Sequence, residues 1–127
     1  MSRVARSSTA FAGGMKAKPA KDDAYLAWIR KLPCVVSGRH PVEAAHLSAG
    51  NLAYGHAGRG RSQKASDRWA LPLAPDMHAI QHKGDEMTFW SERGINPHMV
   101  ALALHGAYSE ESRDELARHI LSKAWRF

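Results

Sequence analysis

The sequence predicts an α+β fold in which a small hairpin is embedded among helices. Short extended runs lie on either side of Gly38, and they predict the two strands of the hairpin. From residue 22 onward, most other segments carry apolar residues at helical spacing. A chain of 127 residues with 44% hydrophobic residues fits one compact domain with a modest core.

Residues 1–21 are predicted to form a disordered basic tail, and residues 22–127 a single domain. The tail is rich in Gly, Ser and Lys and lacks both periodicity and the apolar segment of a secretion signal. No apolar run approaches the length needed to cross a bilayer. The single cysteine, Cys34, excludes a disulfide framework. We therefore expect a cytoplasmic protein without a membrane partner.

The first predicted helix begins at Asp22 and Asp23, whose carboxylates suit its positive end, and stops before Pro33. The second strand of the hairpin falls at residues 43–47, although alanines make it a weak strand former. Residues 48–66 follow as a long loop of Gly, Ser and basic residues. Loops of this length inside a compact domain are more often functional than not.

A second helix is predicted from Pro75, which can occupy the first turn, after a short apolar run at residues 69–73. A third covers residues 86–93. A further helix opens at Pro97 and is expected to stop at Gly106. Ser109 is predicted to cap the last helix.

The net charge is +6 and the sequence pI is about 9.8. The excess of basic residues lies mainly in the tail and in the middle of the chain. Lysines and arginines that contact phosphates displace condensed counterions, so a polyanionic partner is one explanation. A purely solubilising surface is the other. The central basic residues, which we take as candidate nucleic-acid contacts, are Arg59, Arg61, Lys64 and Arg68.

Three histidines are the candidate chemical groups. His78 and His82 are four residues apart on a predicted helix, so both imidazoles project from one face and suit one divalent ion. Chance pairs at this spacing are common in a chain with eight histidines. His46 ends the predicted strand just before the basic loop, where a neutral imidazole can accept a proton from water. A buried structural histidine is the alternative for this position.

Several segments, in this order and spacing, resemble the HNH nucleases, and most closely a phage and prophage subgroup related to the Ref recombination-enhancement nucleases. The resemblance covers about residues 25–105. The matching segments are 32–38 (LPCVVSG), 43–47 (EAAHL), 64–73 (KASDRWALPL), 77–82 (MHAIQH), 89–90 (FW) and 94–97 (GINP).

The resemblance implies a small ββα-metal core, made of a hairpin plus a metal-binding helix, with other helices around it. It makes His46 the general base and His78 and His82 the metal ligands. For the family's middle position, Asp67 is our candidate, orienting His46 or completing the metal shell through water. A loop cap or a partner for Arg68 is an equal alternative for Asp67. Glu43 would approach the metal if the strand bends, and is otherwise an exposed strand carboxylate.

The chain departs from the family at the zinc knuckle that many relatives carry. The corresponding positions are Cys34, Ser37, Ala74 and Met77, and a closed structural zinc site needs four good ligands. We therefore expect no structural zinc, with Ala74 and Met77 packing against the neighbouring valines instead. One catalytic divalent ion is expected, and Mg²⁺, Mn²⁺, Zn²⁺ and Ni²⁺ all remain candidates.

These expectations combine into a metal-dependent endonuclease that hydrolyses DNA in a bacterial or phage-infected cell. It would contact the DNA backbone with weak sequence preference, and the tail is a possible site for a protein partner. One alternative is a nucleic-acid-binding protein that keeps the scaffold without catalysis. Another is a phage-encoded module that binds other proteins.

Overall fold

The structure is a computed structural model that describes residues 21–58 and 65–124. Within those residues, five α-helices and one two-stranded antiparallel sheet form an α+β fold, as predicted. Two single 3-10 turns accompany them. In chain order the elements are α1 (Asp23–Ile29), β1 (Glu43–His46), the turn Leu52–Tyr54, the turn Asp67–Trp69, β2 (Ala70–Leu73), α2 (Pro75–Lys83), α3 (Glu86–Glu92), α4 (Pro97–Tyr108) and α5 (Arg113–Ser122).

The sheet pairs β1 with β2, so the predicted hairpin about Gly38 is wrong. Its register sets Glu43 opposite Leu73 and His46 opposite Ala70. Residues 34–38 instead curl into a turn, in which the Gly38 N–H donates to the Cys34 carbonyl at 2.8 Å. All four residues of β2 are buried. An apolar strand that is covered on both faces is the better partner for β1, even though it lies over twenty residues away.

One hydrophobic cluster runs through the described part of the chain, from α1 to the residues after α5. Helices α1 and α4 pack on β2 and on the 3-10 turn before it, while α2 lies against β1. The largest side chains that are almost completely buried are Trp90, Tyr25, Ile29, Leu47, Leu71, Leu73 and Leu104. The two strands are therefore held from several sides, which positions the residues at both of their ends.

The predicted starts of α1 and α4 agree with the structure, but α1 ends at Ile29, before the predicted stop at Pro33. The last helix begins after Ser112, so the prediction that Ser109 caps it is wrong. The end of α4 also differs. Asp22 caps α1, its side chain accepting from the Tyr25 N–H at 3.0 Å. Helix α4 continues through Gly106 to Tyr108, and Ser109 follows it as the C-terminal cap. A glycine inside a helix costs only about 1 kcal/mol relative to alanine. Here the buried Ala107 and the ring contacts of Tyr108 favour the extra turn.

Some sequence predictions fall outside the described residues. The tail from residue 1 to residue 20 lies there, and so do Arg59, Arg61 and Lys64. Among the residues that are described, no helix is both long and apolar enough to span a membrane.

Candidate active site at the two ends of strand β1

His46 and Asp67 form a pair at the end of β1. Asp67 Oδ1 lies 2.7 Å from His46 Nε2, and both side chains are largely buried. The register explains the contact, because His46 is opposite Ala70 and the 3-10 turn with Asp67 immediately precedes that residue. An ionised carboxylate only accepts hydrogen bonds, so a neutral His46 donates from Nε2 and keeps its lone pair on Nδ1.

Asp67 is itself held by the start of the described chain. The Asp22 backbone N–H donates to Asp67 Oδ2 at 2.6 Å, so each carboxylate oxygen has its own donor. Burial opposes ionisation of Asp67. The hydrogen bonds from Asp22 and His46, with the nearby charges of His46 and Lys21, outweigh it and lower the pKa of Asp67 below its usual value. The carboxylate therefore stays charged beside the imidazole.

A second group lies at the other end of β1. His78 Nε2 and His82 Nε2 are 3.0 Å apart on α2, with ring centroids separated by 4.6 Å. Glu43, the first residue of β1, brings its Oε1 to 2.7 Å from His78 Nδ1. The Glu43 side chain is about half exposed, at 52%. It is thus an exposed strand carboxylate, as one alternative had it, and it is also a partner of His78.

The imidazole pair fits a divalent ion as an incomplete set of protein ligands. Two nitrogens bound to one ion at about 2.0–2.1 Å each lie roughly 3 Å apart at an angle near 90° and about 3.3 Å apart at a tetrahedral angle. The observed separation of 3.0 Å is close to both, and without an ion it is a hydrogen bond between the two nitrogens. Within residues 21–58 and 65–124, no group of three or more His, Cys, Asp or Glu is arranged to hold a metal ion. The remaining positions would therefore belong to water and substrate oxygens.

Glu86 connects the two ends of the site, and sequence reasoning missed it. Its carboxylate accepts from the Ser48 N–H at 3.1 and 3.2 Å and from the Ala49 N–H at 2.8 Å. Its Oε2 also accepts from the Gln81 side chain at 2.9 Å. Gln81 lies between His78 and His82 on α2, so Glu86 links the helix of the imidazole pair to the segment that follows His46.

Two buried histidines, to which the sequence assigned no role, hold the same segment from the other side. His56 Nε2 lies 2.8 Å from the Leu47 carbonyl, while its Nδ1 accepts from the Gly58 N–H at 2.9 Å. His98 Nε2 lies 2.8 Å from the Ala49 carbonyl. Backbone groups of all three residues 47–49 are therefore hydrogen-bonded to side chains outside this segment. The nearest local signal was the excess of histidines, which does not reveal partners up to 49 residues away.

Cys34 is a free, buried thiol. Its Sγ accepts from the backbone N–H groups of Ser37 at 3.4 Å and Ala74 at 3.2 Å. Burial raises the pKa of this thiol, but the hydrogen bonds from Ser37 and the neighbouring backbone lower it more. Ala74 belongs to the core cluster and Met77 packs against it. Hydrogen bonds and apolar contacts thus close the turn.

Arg68 is the one predicted phosphate-binding residue that the described part of the chain contains. It is exposed, and its guanidinium carbon lies 4.9 Å from the centroid of the Trp69 ring. Among the described residues, the ion pair of Asp67 is with His46 and not with Arg68, so the alternative of Asp67 as a partner for Arg68 is not supported. Arg68 therefore follows Asp67 directly in the chain, and its side chain is exposed.

A family model described as "Protein of unknown function (DUF968)" matches residues 6–110, which is most of the chain. No curated protein and no solved structure is found to match this chain. The match includes His46, Asp67, His78 and His82 and all of β1 and β2. The chain belongs to the DUF968 family.

Proposed function

We propose that this protein is a metal-dependent endonuclease that hydrolyses phosphodiester bonds in DNA. The observation that carries the proposal is the pairing of His46 with a charged, buried carboxylate at one end of a strand whose other end meets two converging imidazoles. The first pair suits a general base. The second suits a divalent ion with open positions.

In this mechanism His46 accepts the proton of the attacking water on Nδ1. Asp67 holds the ring through Nε2, which keeps the lone pair on Nδ1. It also stabilises the imidazolium once the proton has arrived. Asp67 needs no proton itself, since its lowered pKa keeps it ionised. The bonded backbone of residues 47–49 keeps His46 in place as its charge changes.

His78 and His82 would hold the divalent ion. When bound, such an ion polarises the scissile phosphate and stabilises the charge that develops on the leaving oxygen. His78 already directs a lone pair from Nε2, because its Nδ1 faces Glu43. His82 must carry its proton on Nδ1 for its own Nε2 to become a ligand.

The charge of the chain favours a polyanionic substrate. Arg68 is exposed, and the net charge is +6.

The proposal is tested by incubating the full chain with supercoiled plasmid and with single-stranded DNA, in Mg²⁺, Mn²⁺, Zn²⁺, Ni²⁺ or EDTA. We expect cleavage with at least one of these ions and none in EDTA. The double variant His78→Ala/His82→Ala should lose it. The control His119→Ala removes an exposed imidazole on α5 and should cleave as the wild type does.

Two results would contradict the proposal. One is intact DNA in every metal, and binding at low salt without cleavage would then favour a nucleic-acid-binding protein on this scaffold. The other is cleavage by the double variant at the wild-type rate.

A further inference from the structure

We propose that Glu43 is a positioning residue that prepares His78 to bind the metal ion. The inference rests on the proposed function, since it concerns the same imidazole pair. Sequence reasoning left Glu43 as either an approach to the metal or an exposed carboxylate. The 2.7 Å distance from its Oε1 to His78 Nδ1 assigns it a different role, as the group behind a ligand.

The contact decides which nitrogen of His78 carries the proton. An ionised carboxylate has no proton to donate, so neutral His78 must donate from Nδ1. Its Nε2 is then deprotonated and accepts a hydrogen bond from His82 Nε2–H at 3.0 Å. Metal ions bind the neutral imidazole through the nitrogen without a proton. Glu43 thus holds His78 in the tautomer that a ligand requires before any ion arrives.

The backbone places both partners firmly. Glu43 is opposite Leu73 in the sheet, and α2 begins only two residues beyond Leu73. Glu43 and His78 therefore belong to adjoining rigid elements. Strand pairing fixes the Glu43 backbone relative to the start of α2, so the contact does not depend on a loop.

The contact is poorly explained as a stabilising ion pair. The Glu43 side chain is 52% exposed and that of His78 is 21% exposed. Ion pairs at such exposure contribute little to folding free energy because water screens them. Carboxylates behind metal-binding histidines orient the ring and raise its basicity, and their loss weakens metal affinity by about 10–100-fold.

The test is the Zn²⁺ affinity of the full chain, measured by titration calorimetry near neutral pH for wild type, Glu43→Ala and Glu43→Gln. The matched control is Asp76→Asn. Asp76 is a carboxylate of similar exposure, 54%, on α2 itself, but it pairs with Arg39. We expect Glu43→Ala to lose about 10–100-fold in affinity and Glu43→Gln, which keeps an acceptor oxygen, to lose less. Asp76→Asn should change it by less than about threefold.

A second measurement separates positioning from a general loss of structure. Long-range ¹H–¹⁵N NMR spectra of the metal-free protein report which nitrogen of His78 carries the proton. We expect Nδ1–H in the wild type and in Glu43→Gln, and a shift toward Nε2–H in Glu43→Ala.

The two proposals fail in different ways. If the wild type binds neither Zn²⁺ nor, in repeat titrations, Ni²⁺, Mn²⁺ or Mg²⁺, both the metal site and the role of Glu43 are wrong. If the wild type binds Zn²⁺ and Glu43→Ala binds it equally well, with the same His78 tautomer, the metal site stands and the positioning role is overturned.

Discussion

The Asp67 carboxylate connects two distant parts of the chain, residue 22 and the end of β1. One oxygen accepts from the backbone N–H of Asp22 and the other contacts His46. These contacts stabilise the ionised form, which is what a partner of a protonated imidazole must be. The resemblance to HNH nucleases predicts that Asp67 orients His46 or completes a metal shell through water, with a loop cap or a partner for Arg68 as alternatives. It did not predict the Asp22 contact, which joins residues 45 positions apart.

Replacement of Asp67 by asparagine tests its role in the reaction. The amide keeps the size of the side chain and loses its charge, so the imidazolium of His46 is no longer stabilised. We expect DNA cleavage to slow by about 100-fold or more, with DNA binding unchanged. Cleavage rates under single-turnover conditions and Kd values measured in EDTA check this. A variant that cleaves at the wild-type rate would show that Asp67 acts only as a structural cap.

The same residue should make stability depend on pH. The folded-state pKa of Asp67 is lowered, so its contribution is fully present above the unfolded value of about 4. It is lost as the pH falls through the folded-state pKa. We expect the free energy of unfolding of wild type to exceed that of Asp67→Asn by about 1–3 kcal/mol at neutral pH and to converge on it in acid. Urea unfolding across this range measures the difference. A constant difference would rule out the linkage.

At the scale of elements, the segment that follows β1 is held by the carboxylate of Glu86 and by two buried histidines. Gly50 belongs to the same closed structure. A Cβ atom added there would lie 2.7 Å from the backbone nitrogen of Gly58, so the backbone at Gly50 and Gly58 packs too closely for a side chain at Gly50. The sequence predicted a functional loop over residues 48–66. It could not predict how its base is closed, because Glu86 and His98 bond to Ala49 from 37 and 49 residues away.

Glu86→Gln tests this closure. The substitution removes the charge that accepts from Ser48, Ala49 and Gln81. We expect faster hydrogen exchange at the Ser48 and Ala49 amides and a loss of about 1–3 kcal/mol in the free energy of unfolding. Glu92→Gln, an exposed change on the same helix, is the control and should leave both unchanged. Exchange at the wild-type rate in Glu86→Gln would mean that His56 and His98 hold the segment without Glu86.

The wrong hairpin has an instructive cause at this scale. The sequence predicts two short extended runs beside Gly38, but local pattern cannot distinguish such a pair from a turn beside a more distant strand. The structure resolves the choice in favour of β2. The turn at residues 34–38 keeps one link to the sheet, since the Val35 N–H donates to the Pro72 carbonyl at 3.0 Å.

For the whole molecule, the α+β class followed from periodicity and the candidate histidines from their order along the chain. The geometry of the site could not be predicted from either. Nothing local relates Glu43 to His78, 35 residues apart, or His46 to Asp67, 21 residues apart. Both contacts arise because the antiparallel register brings the ends of β1 to the segments on either side of β2. A pairing that was mispredicted therefore determines the arrangement of the predicted site.

The most direct test of the account is the rate of DNA cleavage by His46→Ala, compared with wild type at equal metal and DNA occupancy. Occupancy is set from separate titrations, so that only the proton-accepting group differs. Removal of a general base typically costs about 100- to 10,000-fold in rate. We predict a loss in this range, with metal and DNA affinities unchanged. Cleavage by His46→Ala at a rate close to that of the wild type would contradict the assignment of His46 as the base.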